Sequence, residues 1–524
     1  MVEASLSKPS RTGLKGNVML NSQLSKVYFL LPAFLLFTLA FGGIVVPRLN
    51  LILELICRKY YADRAAKDAN FTYLPIAFGE ENDQCRVPEV QSLATQFLLV
   101  GNLIAGLLSA VTSPKLGALS DRYGRTKVIC VTTLGMLAGE VITIIAATYP
   151  DDFPVYWLYL GFALDGLCGS FIAGMALAHS YAADCTPPAK RNVAFGYFHG
   201  CLFSGIALGP LLAAGIIKAT GGIIIMFYLA LGCHLIFIMC LLFVIPESVS
   251  KRRQLIARER YAREQKEMNT SETAWFTKLP LADLFTPLKI LWPTGEGSSP
   301  ALRRNLALLA AIDTIMFGVS MGSMTVVIYY SKFQFGWDTS QQSVFMSVVN
   351  LCRVTCLLLV LPVITRLVRG PASSHRAQKQ SGCDKLDLGL IRTAVLFDTL
   401  GYLGYTLART PVLFVLSGAI TSIGAVGSPT LQSALTKHVP HDRTGQLLGA
   451  SGLLHALARV VAPTIFNGIY SVTVGGFSQT VFLCLTIAFG SAATLSLALR
   501  PGVYLDGKEA RSSSDAQEDT EIAH

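Results

Sequence analysis

Five ionisable residues lie deep inside long apolar stretches of this 524-residue chain, where a charge is costly: Asp165, Asp313, Arg353, His455 and Arg459. A carboxylate that is kept from water binds a proton more readily, so Asp165 and Asp313 could take up and release protons near neutral pH. The arginines could hold the carboxylate of a ligand. The alternative for each acid is a structural pair with a buried base, such as Asp313 with Arg353.

Composition places these charges in a membrane. Hydrophobic residues make up 52% of the chain and charged residues 15%, whereas a soluble domain carries about 25% charged residues. Apolar windows predict twelve spans, and we therefore expect an all-α integral membrane protein in a lipid bilayer. The predicted spans are residues 27–50, 91–114, 127–148, 155–183, 193–217, 222–246, 305–330, 342–366, 390–408, 411–436, 446–470 and 479–499.

A weak internal repeat divides these spans into two halves. Pro188-x-x-Arg191 precedes the fifth span, and Pro440-x-x-Arg443 precedes the eleventh. Two pseudo-symmetric six-helix bundles explain such a repeat. We expect an N-terminal cytoplasmic segment, a first bundle, a charged and partly helical cytoplasmic linker, a second bundle and a disordered cytoplasmic tail, over residues 1–26, 27–246, 247–304, 305–499 and 500–524 respectively.

The distribution of basic residues orients the predicted bundle. Lysine and arginine concentrate in the loops after the second, fourth, sixth, eighth and tenth spans, which predicts that both termini are cytoplasmic. The net charge of +10 then reflects topology, and we expect no nucleic-acid partner. The plasma membrane is the favoured location, with a vacuolar or other endomembrane as the alternative.

The predicted outer loop, residues 51–90, carries features of the secretory pathway. The sequon Asn70-Phe71-Thr72 makes Asn70 a candidate for glycosylation. Cys57 and Cys85 are the two cysteines expected to face an oxidising side, so a disulfide between them is plausible, although both could be free thiols.

A charged, glycine-punctuated turn joins the second and third predicted spans. It reads Gly117-Ala118-Leu119-Ser120-Asp121-Arg122-Tyr123-Gly124-Arg125-Thr126-Lys127. Gly117 lets two helices approach closely, Gly124 permits a left-handed backbone, and Asp121 and Arg125 can pair four residues apart. Such a cluster, with Arg122 and Lys127 beside it, can hold one conformation shut.

This turn resembles the loop between the second and third helices of major facilitator superfamily transporters. Only Thr126 departs from the family pattern, because a base usually stands there. The resemblance extends over residues 25–500 and implies alternating access between two six-helix bundles. It also implies a partner for the loop at the inner end of the fourth span, where Asp184 lies.

A second resemblance lies in the fifth span. Gly196, Gly205, Gly209 and Pro210 are similar to the antiporter motif of drug-efflux members of that superfamily, with alanines in place of its last two glycines. Small residues let helices pack tightly, and a Gly-Pro pair can bend one.

The fourth span departs from many family members. Phe162-Ala163-Leu164-Asp165-Gly166 stands where they carry R-x-x-Q-G, so the role of that arginine in proton coupling does not transfer. An acid in the fourth span and a long first outer loop also resemble proton-coupled folate transporter relatives. In the superfamily, spans one, four, seven and ten line the cavity, which implies that Asp165 and Asp313 face it.

Three functional hypotheses follow. The favoured one is a proton-coupled exporter of small organic molecules, and the second is a proton-coupled importer of an organic anion. The third is a membrane sensor without transport, which we disfavour because the loop motif is nearly intact. No enzyme motif is present in the sequence, so we expect a monomer without enzymatic activity, cofactor or metal, whose partners are a small-molecule substrate, protons and lipid.

Overall fold

The computed structural model describes residues 11–68, 71–76, 83–220, 222–270, 286–294, 298–337, 339–369, 382–473 and 476–504. The helices of the first half and the helix that follows it are α1 Arg11–Ala65, α2 Pro88–Tyr123, α3 Arg125–Thr148, α4 Leu158–Leu167, α5 Ser170–Cys185, α6 Arg191–Thr220, α7 Ile224–Phe243 and α8 Lys251–Thr270. Those of the second half are α9 Pro300–Phe335, α10 Thr339–Thr355, α11 Leu361–Arg369, α12 Lys385–Leu407, α13 Pro411–Gly424, α14 Gly427–Thr436, α15 Thr444–Thr473 and α16 Thr480–Leu497.

The helices match the predicted spans. Among the described residues, 11 spans are long and apolar enough to cross a bilayer. The remaining predicted span is α12, which carries Arg392 and Asp398 and is therefore less hydropathic. The described ranges hold helices and no strand, which confirms the prediction of an all-α membrane protein with twelve helices in two halves.

The fourth and tenth spans are interrupted at matching places. The fourth span consists of α4 and α5, which meet at Gly169 with a φ of 89°. The tenth consists of α13 and α14, which meet at Ala425 and Val426. A Cβ on Gly169 would meet Ala173 and Leu116, so the break needs glycine for its backbone and for its packing. The break places Asp165 near the end of a short helix.

The first helix is longer than predicted. The apolar window ends near residue 50, yet α1 continues to Ala65 because Leu51, Ile52 and Leu55 are buried in a cluster against neighbouring helices. The predicted outer loop of residues 51–90 therefore begins later than expected. At the other end, α1 begins at Arg11, inside the predicted N-terminal segment.

A disulfide closes the shortened outer loop. Cys57 near the end of α1 is bonded to Cys85, with the two Cα atoms 5.5 Å apart. The hydroxyl of Tyr61 donates a hydrogen bond of 2.8 Å to the carbonyl oxygen of Gln84, which ties the same two segments together. The candidate glycosylation site Asn70 lies outside the described residues, as does the part of the predicted tail after residue 504.

Glycines set the distance between α1 and α6. A Cβ on Gly205 would overlap the carbonyl oxygen of Thr38, and a Cβ on Gly209 would lie against the backbone of Gly42. The helix α6 continues as one element through Pro210. Backbone contact of this kind maximises dispersion attraction between helices in lipid, so these glycines hold the first half together.

We predict that Gly205→Ala lowers the stability of the protein. The new methyl group overlaps the Thr38 backbone, which cannot move without shifting α1, and overpacking of this kind costs about 1–3 kcal/mol. Gly215→Ala on the same helix is the matched control, because nothing lies within 4 Å of a Cβ there. Thermal unfolding of both purified variants checks this, and equal midpoints would contradict it.

We also predict that non-reducing peptide mapping of protein from the secretory pathway recovers Cys57 linked to Cys85. Deglycosylation should shift the apparent mass of the wild type and leave Asn70→Gln unchanged. Alkylation of both cysteines without prior reduction would contradict the disulfide, and an unchanged mass of the wild type would contradict the glycan.

Candidate functional site

An ion-pair cluster lies at one end of the bundle, which we call the base-rich end because Lys26, Arg122, Lys127, Arg253 and Lys385 gather there. Arg125 is fully buried. Its Nη2 lies 2.6 Å from Asp121 Oδ1, and its Nε lies 2.9 Å from Asp184 Oδ2. Arg253 reaches the other Asp184 oxygen at 2.9 Å. A buried arginine is tolerable here because two carboxylates neutralise it.

Glu247 anchors the start of α3 to this cluster. Its carboxylate accepts hydrogen bonds from the backbone N–H groups of Arg125 at 2.9 Å and Thr126 at 3.2 Å. A negative charge at a helix N-terminus is favourable because the first N–H groups lack helical partners. The turn before α3 uses Gly124 with a φ of 106°, and a Cβ there would strike the Glu247 carboxylate.

Asp121 connects this cluster to the second half. Its carboxylate accepts hydrogen bonds from the N–H groups of Gly445 at 3.2 Å and Gln446 at 2.9 Å, in the first turn of α15. The same helices touch at Gly117, where a Cβ would lie 2.9 Å from the Cα of Gly449. One carboxylate therefore neutralises Arg125 inside the first half and caps a helix of the second half.

Arg122, the base that follows Asp121 in the turn, contacts α8. The Arg122 guanidinium lies 3.8 Å from the centroid of the Tyr261 ring, and Arg258 Nε donates a hydrogen bond of 3.0 Å to the Arg122 carbonyl oxygen. Arg260 forms an ion pair with Asp442, just before α15. Lys127 is exposed. The helix α8 thus lies across the junction of the two halves.

A second charged cluster, which was not predicted from the sequence, lies in the second half. Arg369 Nη2 lies 2.6 Å from Asp384 and 2.9 Å from Asp387, and Lys437 lies 2.5 Å from Asp387. Burial acts to raise the pKa of Asp384, but Lys437 and Arg369 lower it below its usual value. The internal repeat could have revealed this cluster, because the loop after the eighth span occupies the same position in the second half as the loop after the second span does in the first half.

This second cluster also joins the halves. Arg369 donates a hydrogen bond to the carbonyl oxygen of Ala189 just before α6, and another of 3.3 Å to Asn192. In the opposite direction, Arg191 donates a hydrogen bond of 3.2 Å to the Thr436 carbonyl oxygen. Two sets of contacts related by the repeat therefore close the base-rich end.

Asp165 lies mid-bundle among charges from both halves. Arg48 of α1 and Arg459 of α15 interact electrostatically with its carboxylate. Arg459 Nη1 also donates a hydrogen bond of 3.4 Å to Ser170 Oγ. The Arg48 guanidinium lies 4.6 Å from the Phe162 ring. The sequence reasoning missed Arg48, although a base within an apolar span was a signal for it.

Asp313 is paired with a histidine. Its Oδ2 lies 3.0 Å from Nε2 of His455, so the alternative pairing of Asp313 with Arg353 is wrong. Arg353 lies 5.2 Å from the Phe203 ring centroid and interacts with Asp398. The helix α15 thus presents His455 to Asp313 and, one turn later, Arg459 to Asp165.

The sequence matches the Major Facilitator Superfamily over residues 71–463. The chain belongs to this superfamily. An MFS-type transporter, avaJ, of Aspergillus versicolor is 31% identical over 480 residues, which covers 89% of each chain. The class C tetracycline resistance protein of Escherichia coli is 26% identical over 72% of this chain and 81% of its own length.

A solved structure shares the fold. The human organic anion transporter MFSD10 (TETRAN) superposes with a TM-score of 0.65 at 18% identity, covering 90% of this chain and 98% of that one. Together with the apolar helices, these likenesses make the chain a multi-pass membrane transporter of the superfamily.

We predict that Asp121→Asn loosens the base-rich end. An amide cannot pair with buried Arg125, and its NH2 group opposes the N–H of Gly445 or Gln446. A charge-assisted hydrogen bond contributes about 1.5–3 kcal/mol, so the population of separated halves should rise about tenfold or more. Maleimide labelling of Thr444→Cys, a buried position at the start of α15, should accelerate accordingly.

Lys127→Ala is the control for this measurement, because it removes a charge from the same turn at an exposed position. An unchanged labelling rate in Asp121→Asn, with normal folding, would show that the carboxylate does not hold the two halves together.

Proposed function

We propose that the protein is a proton-coupled exporter of small organic molecules that works by alternating access. The observation that carries this proposal is the placement of Asp165, whose Oδ1 is buried without a hydrogen-bond partner among the described residues. Arg48 of the first half and Arg459 of the second interact with this carboxylate. A site built from both halves changes its shape when the halves move, as alternating access requires.

Proton coupling is supported by the charges around Asp165. Protonation neutralises Asp165 and leaves the two positive charges of Arg48 and Arg459 in the site. When Asp165 is deprotonated, its negative charge neutralises one of these two positive charges. A bound proton therefore alters the affinity of the site for a charged substrate, and the two processes become linked. In this proposal Asp165 exchanges the proton, while Arg48 and Arg459 contact the substrate.

The gating role of the turn after α2 is part of the same proposal. Gly117, Asp121, Arg125 and Asp184 form the closed junction at the base-rich end, and Glu247 fixes the start of α3. The packing of Gly205 and Gly209 on α1 supports a first half that moves as a unit. We propose residues 27–246 and 305–499 as the moving bundles of a monomer.

The base-rich end is proposed to face the cytoplasm, because lysine and arginine are retained on that side. The disulfide between Cys57 and Cys85 lies near the far end of α1 and suits an oxidising compartment. The structure is then closed to the cytoplasm, with both termini inside the cell. We place the protein in the plasma membrane and retain an endomembrane as the alternative.

Export is favoured by the name of one similar protein, the tetracycline resistance protein of Escherichia coli. One observation supports the second candidate, import of an organic anion. Arg48 lies over Phe162 and Arg353 over Phe203, and a guanidinium beside an aromatic ring suits an aromatic carboxylate. The solved MFSD10 structure is named an organic anion transporter.

We predict that Asp165→Asn abolishes transport driven by a pH gradient and spares substrate exchange without a gradient, because the amide mimics a permanently protonated acid. Proteoliposomes of uniform orientation, tested with tetracycline and with radiolabelled benzoate, measure this together with proton movement. Arg459→Ala should raise the benzoate concentration needed for half-maximal flux more strongly than Asp165→Asn does.

Asp152→Asn is the control, because Asp152 is an exposed acid outside the bundle centre. Gradient-driven flux in Asp165→Asn equal to that of wild type would remove Asp165 from the coupling mechanism. Wild-type flux of a substrate into the compartment that faces the base-rich end would establish import.

A further inference from the structure

A row of buried polar side chains crosses from one half to the other near the base-rich end. Ser428 on α14 lies between His199 on α6 and Asp313 on α9. Its Oγ is 3.4 Å from His199 Nε2 and 3.5 Å from Asp313 Oδ1. His199 is 8% exposed and Asp313 1% exposed, so the contacts within this row cannot be replaced by bulk water.

The hydrogens of this row can be counted. His199 Nδ1 lies 3.2 Å from the carbonyl oxygen of Phe195. A carbonyl oxygen only accepts, so Nδ1 carries the hydrogen, and Nε2 of a neutral ring offers only a lone pair. An ionised Asp313 likewise only accepts. Ser428 has one O–H group and can donate to one of these two neighbours, which leaves the other contact between two acceptors.

One additional proton satisfies both contacts. If it resides on Asp313, the carboxylic acid donates to Ser428, and Ser428 donates to His199. If it resides on His199, the imidazolium donates to Ser428, and Ser428 donates to the carboxylate. Leaving a buried polar contact unsatisfied costs about 1–3 kcal/mol, so the row favours the protonated arrangement whenever its three members are together.

We propose that Asp313, Ser428 and His199 form a proton-binding site that exists only while the base-rich end is closed. His199 belongs to the first half, and Ser428 and Asp313 belong to the second. Separation of the halves splits the row, and the proton leaves to the side that has opened. His199 lies eight residues into α6, about 12 Å from its start. This inference rests on the proposed function, because it adds a second proton site to the one at Asp165.

Other ionisable groups surround the row without completing it. His455 on α15 lies 3.0 Å from the second oxygen of Asp313. The ring of His179 on α5 stacks at 5.0 Å on His199, and neither of its ring nitrogens has a hydrogen-bond partner among the described residues. On α10 the charged neighbour of α6 is Arg353, and on α15 Arg459 follows His455 by one turn. These groups face the row from the helices packed against it.

The test measures closure of the base-rich end against pH without any substrate. Spin labels are placed on Lys127→Cys and Lys385→Cys, which are exposed positions on opposite halves. The described free cysteines are all buried or half-buried, so they label slowly, and protein without the two new cysteines corrects for them. Double electron–electron resonance then gives the ratio of short to long distances between pH 5 and pH 8.

In the wild type we expect acid to favour the short distance, by up to tenfold per pH unit for one proton. Asp313→Asn should give the short distance at every pH, because its amide donates to Ser428 without an added proton. Ser428→Ala should lose the pH dependence although both titratable groups remain. His234→Gln should keep it, because His234 is paired with Glu140 inside the first half.

Three outcomes would overturn the site. These are a wild-type distance that does not change with pH, a Ser428→Ala variant with the full wild-type response, and an Asp165→Asn variant that alone abolishes the response. The distance measurement uses no substrate, so its result stands even if the flux assay contradicts the proposed transport function. Conversely, a flat distance profile with intact gradient-driven flux would remove the site and preserve the proposed function.

Discussion

The closed junction depends on a carboxylate placed at the end of a helix. The N-terminus of α15 presents N–H groups without helical partners, and Asp121 accepts hydrogen bonds from Gly445 and Gln446. This carboxylate can be buried because Arg125 neutralises it, and Arg125 can be buried because Asp184 shares its charge. Burying any one of these three charges alone would cost free energy, whereas together they neutralise one another. The halves can therefore close only in the arrangement that brings the three side chains together.

Buried charged side chains form hydrogen bonds across the junction between the halves, beside apolar contacts such as those of Ile172 with Leu453. Close backbone and aromatic packing is extensive within the first half. Inside the first half, Gly205 meets the Thr38 backbone, and aromatic rings such as Phe34 and Phe198 pack edge to face at 5.1 Å. Between the halves, hydrogen bonds such as that from Arg191 to Thr436 contribute to the attachment. Polar contacts can be exchanged for water when a junction opens, and close-packed helices cannot. This difference suits rigid halves that move against each other.

Much of this architecture could be predicted from the sequence. The apolar windows and the repeat predicted the twelve helices in two halves. The spacing of Asp121 and Arg125 predicted their ion pair, although the pair joins the end of α2 to the start of α3 and does not lie on one helical face. The end of α1 was predicted wrongly, because Arg48, Asn50 and Glu54 interrupt the apolar run near residue 50, and a short window cannot distinguish a helix that continues from a loop. Helix continuation there depends on burial, which is a tertiary property.

The partners of the buried charges were harder to predict. Sequence reasoning suggested Arg353 for Asp313, whereas His455 lies beside it. Arg48 was overlooked beside Asp165, and His199 was not among the candidate residues. These pairings join helices far apart in the chain, and no local spacing encodes them. The ion pair of Arg369 with Asp384 could have been predicted from the internal repeat, because it lies at the position in the second half that is equivalent to that of Asp121 in the first half.

The extended first helix has a mechanical consequence. The part of α1 from Lys26 to Ala65 has 40 residues, about 60 Å at 1.5 Å per residue, whereas the hydrocarbon core is about 30 Å thick. The protruding end is cross-linked to the residues that precede α2, so it is stiffened against its own half and is not cross-linked to the other. A small rotation of the first half would therefore move the tip of α1 farther than the parts of that half that lie closer to the rotation axis. An antibody bound to this tip would therefore exert torque on the first half alone.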